Sequence, residues 1–306
     1  MKTSVISSLT VHPQAAHFRS QNRHLQSEIA RLIVERDDLK FSILPNIEAE
    51  YRLKIGAFEW RVFQMNCEMR AMLRRIEMAQ AMLNRGDEPC FRCIETEIET
   101  EFAVWREQIE QKSREIKAAK VRENLPVLSR RESRELQTLY RKLAFLLHPD
   151  IAGNSDERRQ KLWLQTSEAY RNSDLQTLRT IRFLIGNVTE AEVSNSENQS
   201  ILEILQIRCA ELKQTCEKFL DEIYEIKSSA PYLWHEILDD AAQLEKIQAN
   251  LREKIEIQRE KRRQLTTHWA EIMRFAKDRE IVEMPVEPPD IFAVAEDDWA
   301  EIIYEC

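Results

Sequence analysis

Residues 201–226 read ILEILQIRCAELKQTCEKFLDEIYEI. Leu202, Leu205, Cys209, Leu212, Cys216, Phe219, Ile223 and Ile226 follow one another at alternating steps of three and four, a heptad seam kept for more than three repeats. Strand side chains alternate with period two, so this spacing fits a helix and predicts a coiled-coil segment. The run Ser228-Ser229-Ala230-Pro231 turns the chain, and Ile237, Ala241, Leu244, Leu251 and Ile255 then mark a return helix, with Gln248 interrupting its stripe. An antiparallel hairpin over 201–279 is the expectation. Pairing on the return should run out near Lys261, where the seam position holds Arg262. Leu265, Trp269 and Ile272 beyond it then need another partner, either a further helix of the chain or a second copy.

Working outward, composition supports the same class. Only 4 of 306 residues are glycine, about 1% against roughly 7% in average usage, which disfavours sheet folds and glycine-rich phosphate loops. Charged residues at 32% and hydrophobic ones at 43% suit long amphipathic helices. Upstream, Leu25, Ile29, Leu32, Leu39 and Ile43 repeat at helical spacing up to Pro45. A second run from Ile47 through Phe58, Met65, Met72 and Ile76 to Leu83 should pack on the first. After the turn at Gly86-Asp87-Glu88-Pro89, a third helix runs from Ile94 to Ile116 and ends before Pro126. The expected fold is all-α and elongated. Its regions are an N-terminal long-helix, coiled-coil region over 1–125, a compact block over 126–186, a polar linker over 187–200, the hairpin over 201–279 and an acidic tail over 280–306. The net charge of −8 belongs to that tail, which holds nine acids and no Lys or Arg and leaves the rest at +1. A chain-wide basic excess is absent, so nucleic acid is not an expected partner.

The block over 126–186 carries the chemistry. Ser129 and Glu132 have capping-box spacing, and Leu136, Leu139, Tyr140, Leu143, Ala144 and Leu147 form an apolar stripe behind them. Arg130, Arg131, Arg134, Arg141 and Lys142 occupy the other faces. Proline has no N–H and restricts the residue before it, so Pro149 should stop the helix at His148. A loop through Asp150, Gly153 and Asn154 leads to a second helix with Leu162, Trp163, Thr166, Ala169 and Tyr170. Two antiparallel helices joined at His148-Pro149-Asp150 result.

Over roughly residues 130–180 this pattern resembles the J domain of DnaJ-type co-chaperones. The residues that carry the resemblance are Tyr140, Leu143, Ala144, His148, Pro149 and Asp150, with Glu168, Ala169 and Tyr170 near the end of the second helix. The resemblance implies docking on the ATPase of a DnaK-type chaperone, stimulation of its ATP hydrolysis, and client capture. Asp150 would pair with an arginine of the chaperone, and Pro149 would fix the loop. His148 would support the loop or contact the partner, while Arg134, Arg141 and Lys142 would supply the positive surface that steers encounter. The chain departs from the family at Leu146, where Lys is frequent, at Ala152, where Asn is usual, and in lacking a tyrosine-rich first helix. The end of the 92–122 helix, or nothing, stands in for it. Ser173 and Gln176 should cap a fourth helix carrying Leu175, Leu178, Ile181 and Leu184. Neither a Gly/Phe-rich linker nor four CxxC pairs follow.

The six cysteines, in a chain without a convincing signal segment, suit reduced thiols and a cytoplasmic location. One CxxC, Cys90-Phe91-Arg92-Cys93, stands alone, and zinc needs four ligands, so a metal there would require two chains sharing a site. Cys209 and Cys216 read as core, Met65, Met69, Met72, Met78 and Met82 as packing, and Arg259 to Arg263 as a solvated face. No catalytic constellation, cofactor motif or apolar run long enough to cross a membrane is readable. The first reading is therefore a co-chaperone whose coiled coils bind an unidentified client or a location and offer a route to self-association. The second is a structural or assembly protein that keeps a degenerate J-like interaction module. A charge placed at Leu212 should unfold the hairpin and spare the J-like block, because a polar linker separates them. The acidic tail is expected to cover the basic helix face and compete with the chaperone, or else to serve as a solubilising segment or as a docking peptide for an unrelated basic partner.

Overall fold

The computed structural model describes residues 13–124, 128–152, 156–185, 198–277 and 290–292. In order these form α1 (Pro13–Asp38), α2 (Leu44–Tyr51), α3 (Ala57–Arg85), α4 (Phe91–Glu101), α5 (Ala103–Glu123), α6 (Arg130–Leu147), the single turn α7 (Pro149–Ala152), α8 (Glu157–Arg171), α9 (Leu175–Ile185), α10 (Asn198–Ser228), α11 (Ala230–Asp239) and α12 (Ala241–Lys277). The fold is all-α, and no strand occurs among the described residues. Most of the expected linker, up to residue 197, and all of the acidic tail except 290–292 lie outside them.

Pro45 does not break the chain into two helices as its chemistry suggests. Residues Leu39–Ile43 widen into a π-turn, and the Leu44 N–H donates to the Leu39 carbonyl five residues back. Pro45 then falls in the first turn of α2, where a missing N–H costs little. A second π-turn at Arg52–Gly56 follows. At the far end of α3, Gly86 takes a left-handed φ of +82°, so that its N–H and that of Asp87 reach the Leu83 and Met82 carbonyls. The single third helix expected over 92–122 is divided at Phe102.

The chain separates into two compact units, each made of two stretches of sequence. The first comprises residues 1–45 and 126–233. Here α10 packs along α1, and α6, α8 and α9 complete one core with Ile29, Leu32, Ile33, Tyr140, Leu143, Leu178, Ile181, Leu212, Phe219 and Ile223. Polar contacts fix the register of the α1–α10 pair. The Asn22 side chain donates to the Leu205 carbonyl at 3.1 Å, and Lys227 meets Glu35 at 2.7 Å.

The second unit comprises residues 46–125 and 234–306. Its long pair is α3 with α12, and α4 and α5 close the core around Trp60, Ile94, Ile98, Ile109 and Trp269. Residues that broke the seam of α12 have partners. Gln248 donates to the Lys54 carbonyl in the second π-turn at 2.8 Å, and Arg262 meets the buried Glu68 carboxylate at 3.1 Å. Trp269 finds another helix of the chain, its ring edge-on to Phe91 of α4 at 5.5 Å. Phe292 from the tail is buried beside Phe102, and its carbonyl accepts from Gln64 at 3.0 Å.

These pairings replace the expected hairpin of α10 on α12, since the partners are α1 and α3 respectively. The two N-terminal helices expected to pack together belong to different units. An apolar seam specifies a stripe to be buried and leaves the partner open. The stripe on α1 covers that of α10, and the flanking Glu35 and Arg36 pair with Lys227 and Glu222.

Candidate partner-docking site

The capping box forms as its spacing predicts. Ser129 Oγ accepts from the Glu132 N–H, and the Glu132 carboxylate accepts from the Ser129 N–H at 3.0 Å, which starts α6. Leu136, Tyr140, Leu143, Ala144 and Leu147 are its buried residues. The helix stops at His148, whose backbone is extended (φ −62°, ψ 130°), and Pro149 opens α7. Helix α8 then runs back along α6: Trp163 sits beside His148, and Tyr170 stacks on Tyr140 with ring centroids 3.8 Å apart. In α9 the first-turn cap is Asp174, which accepts from the Thr177 N–H at 3.0 Å, rather than Ser173.

Two acids of α1 lock this hairpin. The Tyr140 hydroxyl donates to Asp37 at 2.5 Å and the Tyr170 hydroxyl donates to Asp38. Burial raises the pKa of both phenols, and the adjacent carboxylates reinforce the shift. Burial also raises Asp38 in spite of its hydrogen bonds from Tyr170 and Gln137. The helix that packs on α6 from outside the block is thus α1, and the expected substitute, the 92–122 helix, lies in the other unit.

His148 is buried, with 7% exposure. Its ring lies edge-on to Trp163 at 4.7 Å and to Phe219 of α10 at 5.9 Å, and Arg36 covers another side of Phe219 at 4.8 Å. The Asp150 N–H donates to His148 Nδ1 at 3.2 Å, which places the proton of the neutral imidazole on Nε2. His148 therefore supports the loop from inside. Two further groups hold the loop by its backbone: Arg208 of α10 donates to the carbonyls of Asp150 and Ile151 at 2.9 and 3.0 Å, and Gln26 of α1 donates to Ile151 at 3.2 Å. Pro149 remains exposed and Asp150 half-buried. The Asp150 carboxylate forms no salt bridge among the described residues, and neither do the exposed Arg134, Arg141 and Lys142.

Sequence spacing located the hairpin and missed Asp37, Asp38, Arg208 and Phe219. The adjacent acids at the end of the α1 stripe were the only local signal, and the separation of 103 residues between Tyr140 and Asp37 hides their pairing. Among the described residues no group of three or more His, Cys, Asp or Glu is arranged to hold a metal ion, and no helix is long and apolar enough to cross a membrane.

Burial holds the His148 imidazole down to about 4 against an ordinary 6.5, with Arg36 and Lys218 pushing the same way and Asp150 and Asp37 opposing. Protons therefore bind the unfolded chain first. The stability tied to neutral His148 is complete above pH 6.5 and is lost as pH falls toward 4, by up to about 3 kcal/mol for a depression of this size. Denaturant titrations of the first unit at pH 7 and pH 5 should show this loss, and His148→Gln should flatten it. An equal slope in the variant would remove His148 as the cause. Asp38, raised by burial, acts in the opposite sense and is common to both proteins.

Comparison of the chain with protein-family models, with curated proteins and with solved structures finds no match.

Proposed function

We propose that the chain is a J-domain-type co-chaperone that docks on a DnaK-type chaperone in the cytoplasm and stimulates its ATPase. One observation carries the reading. The Asp150 carboxylate stands without a salt bridge among the described residues on a loop whose backbone is tied down from three sides. A fixed backbone below an unengaged acid is preorganised for an arginine of a partner, since little ordering remains to be done on docking. Exposed Arg134, Arg141 and Lys142 on α6 add the positive charge that steers encounter with an acidic surface. ATP hydrolysis belongs to the partner, and the long helices of both units are the surfaces left for a client or a location.

The burial of His148 and the hold of Arg208 on the loop favour a second reading, in which the module binds a partner without stimulating it. Steady-state ATPase of a purified DnaK-type chaperone, measured with and without the full chain at low salt, separates the two. Stimulation supports the first reading, and binding with no change in rate leaves only the second. With Arg141→Glu and Lys142→Glu together, half-maximal stimulation should need roughly tenfold more protein at low salt. That gap should narrow toward high salt, where the Debye length contracts from about 30 Å to a few Å. A gap that does not depend on salt would show that these cations do not act through long-range attraction.

A further inference from the structure

The feature furthest from the docking site in its chemistry is the cysteine pair at the start of α4. The reduced state expected from composition is not what the structure holds, because Cys90 and Cys93 are joined by a disulfide while Cys67, Cys209 and Cys216 are free. Both bonded residues are exposed. Their frame is anchored: Pro89, Phe91 and Ile94 are buried, Phe91 packs against Trp269, and the Ile94 N–H donates to the Cys90 carbonyl at 3.0 Å. One turn below, Glu95 accepts two 2.8 Å hydrogen bonds from the buried Arg75 of α3, which fixes α4 on the second unit independently of the sulfurs.

We propose that Cys90 and Cys93 form a reversible dithiol–disulfide centre that exchanges with thiols and disulfides in solution. Cys90 is the N-cap residue of an 11-residue helix and Cys93 lies in its first turn. Side-chain acceptors are favoured at the N-cap because first-turn N–H groups point at them, and the helix dipole adds to the attraction for negative charge. In the disulfide Cys90 makes no side-chain cap hydrogen bond; once reduced, a thiolate at this N-cap position faces the first-turn N–H groups, while the Cys93 sulfur lies further along the helix. Cys90 is accordingly the attacking group and Cys93 the resolving one.

The step balances as follows. With the pair reduced, the Cys90 thiolate attacks one sulfur of a disulfide R–S–S–R, forming the mixed disulfide Cys90–S–S–R and releasing R–S⁻. Cys93, losing its proton, then attacks Cys90 Sγ, closes the intrachain bond and expels the second R–S⁻. Two electrons pass from the cysteine pair to the incoming disulfide; the Cys93 proton ends on one released thiolate, and the other stays as R–S⁻ or takes back from water the proton that Cys90 gave up in forming its thiolate. Reduction of the pair by a dithiol is the same path reversed. The separation of three residues keeps the resolving thiol close, and the anchored neighbours let the bond open without unfolding α4.

The test uses the full chain equilibrated in glutathione buffers of increasing oxidation, quenched with an alkylating agent and digested. The peptide spanning residues 86–92 joined to 93–106 should convert from doubly alkylated to disulfide-bonded in one two-thiol transition. Cys93→Ser should accumulate glutathione on Cys90, and Cys90 in that variant should alkylate at pH 7 about tenfold or more faster than Cys93 in Cys90→Ser, as depressed thiol pKa values at helix N-termini imply. A peptide that stays doubly alkylated in every buffer overturns the proposal. Equal rates for the two cysteines, matching those of the same sequence as a short free peptide, overturn the assignment of Cys90 as attacking group. The readout contains no ATPase, so its outcome is independent of the docking function.

Discussion

Asp150→Asn should remove stimulation of a DnaK-type chaperone while leaving the chain folded. The hydrogen bonds that hold this loop go to backbone, Arg208 and Gln26 to carbonyls and His148 Nδ1 to the Asp150 N–H, while the side chains of His148 and Ile151 are packed in the core. Asparagine preserves all of them and matches the carboxylate in shape, so thermal unfolding should change little. Asparagine lacks the charge for a desolvated arginine partner. Loss of one member of such a pair costs about 2–5 kcal/mol, roughly 30-fold or more in affinity. The check is chaperone ATPase as a function of added protein, alongside thermal unfolding of the variant. Undiminished stimulation by Asp150→Asn would falsify the docking assignment, and a large fall in melting temperature would show that the acid serves the fold.

The second large effect concerns Leu212. Read from the sequence, a charge there should melt a C-terminal hairpin and spare the J-like block. The structure gives the opposite expectation, because Leu212 is fully buried in the same core as Tyr140, Leu143, Leu178 and Phe219. Leu212→Asp deletes a side chain worth about 2–5 kcal/mol and leaves a carboxylate in an apolar site, which adds several more. That sum is comparable with the whole stability of an ordinary domain, roughly 5–15 kcal/mol. Hydrogen exchange followed by mass spectrometry should show protection lost together in α1, α6, α8, α9 and α10. Protected amides in α6 and α8 with α10 exchanging freely would mean that the block stands alone and the shared core is unimportant.

How much could be read from the sequence depended on the range of the interaction. The capping box at Ser129 and Glu132, the helix stop at His148 and Pro149, and the apolar faces of α6, α9 and α10 are set by neighbours within a few residues, and spacing displays them. The partner of α10 was hidden because a heptad seam carries no address. The selectivity lies in side contacts such as Asn22 with Leu205 and Lys227 with Glu35. Pro45 misled because the compensating π-turn is a backbone adjustment with no side-chain signature. His148 was legible as a helix stop, whereas its burial depends on Phe219, far along the chain and itself flanked by Arg36. At Cys90 and Cys93, an argument from cysteine content and compartment concerned the average thiol and did not reach this local pair.

The discontinuity of the first unit has a consequence for synthesis. When α1 leaves the ribosome its partner helix does not yet exist, since Asn22 and the Leu205 carbonyl it binds are 183 residues apart. At about 5–20 residues per second the interval is roughly 10–40 s. Throughout it, the apolar stripe of Ile29, Leu32 and Ile33, which ends wholly covered, lies open on the nascent chain. Segments 46–125 are translated in between and close only when 234–277 arrive, so neither unit can fold domain by domain from the N-terminus. Both must be completed after most of the chain has emerged, and a fragment bounded at 126–186 would lack the two helices that cover its hairpin.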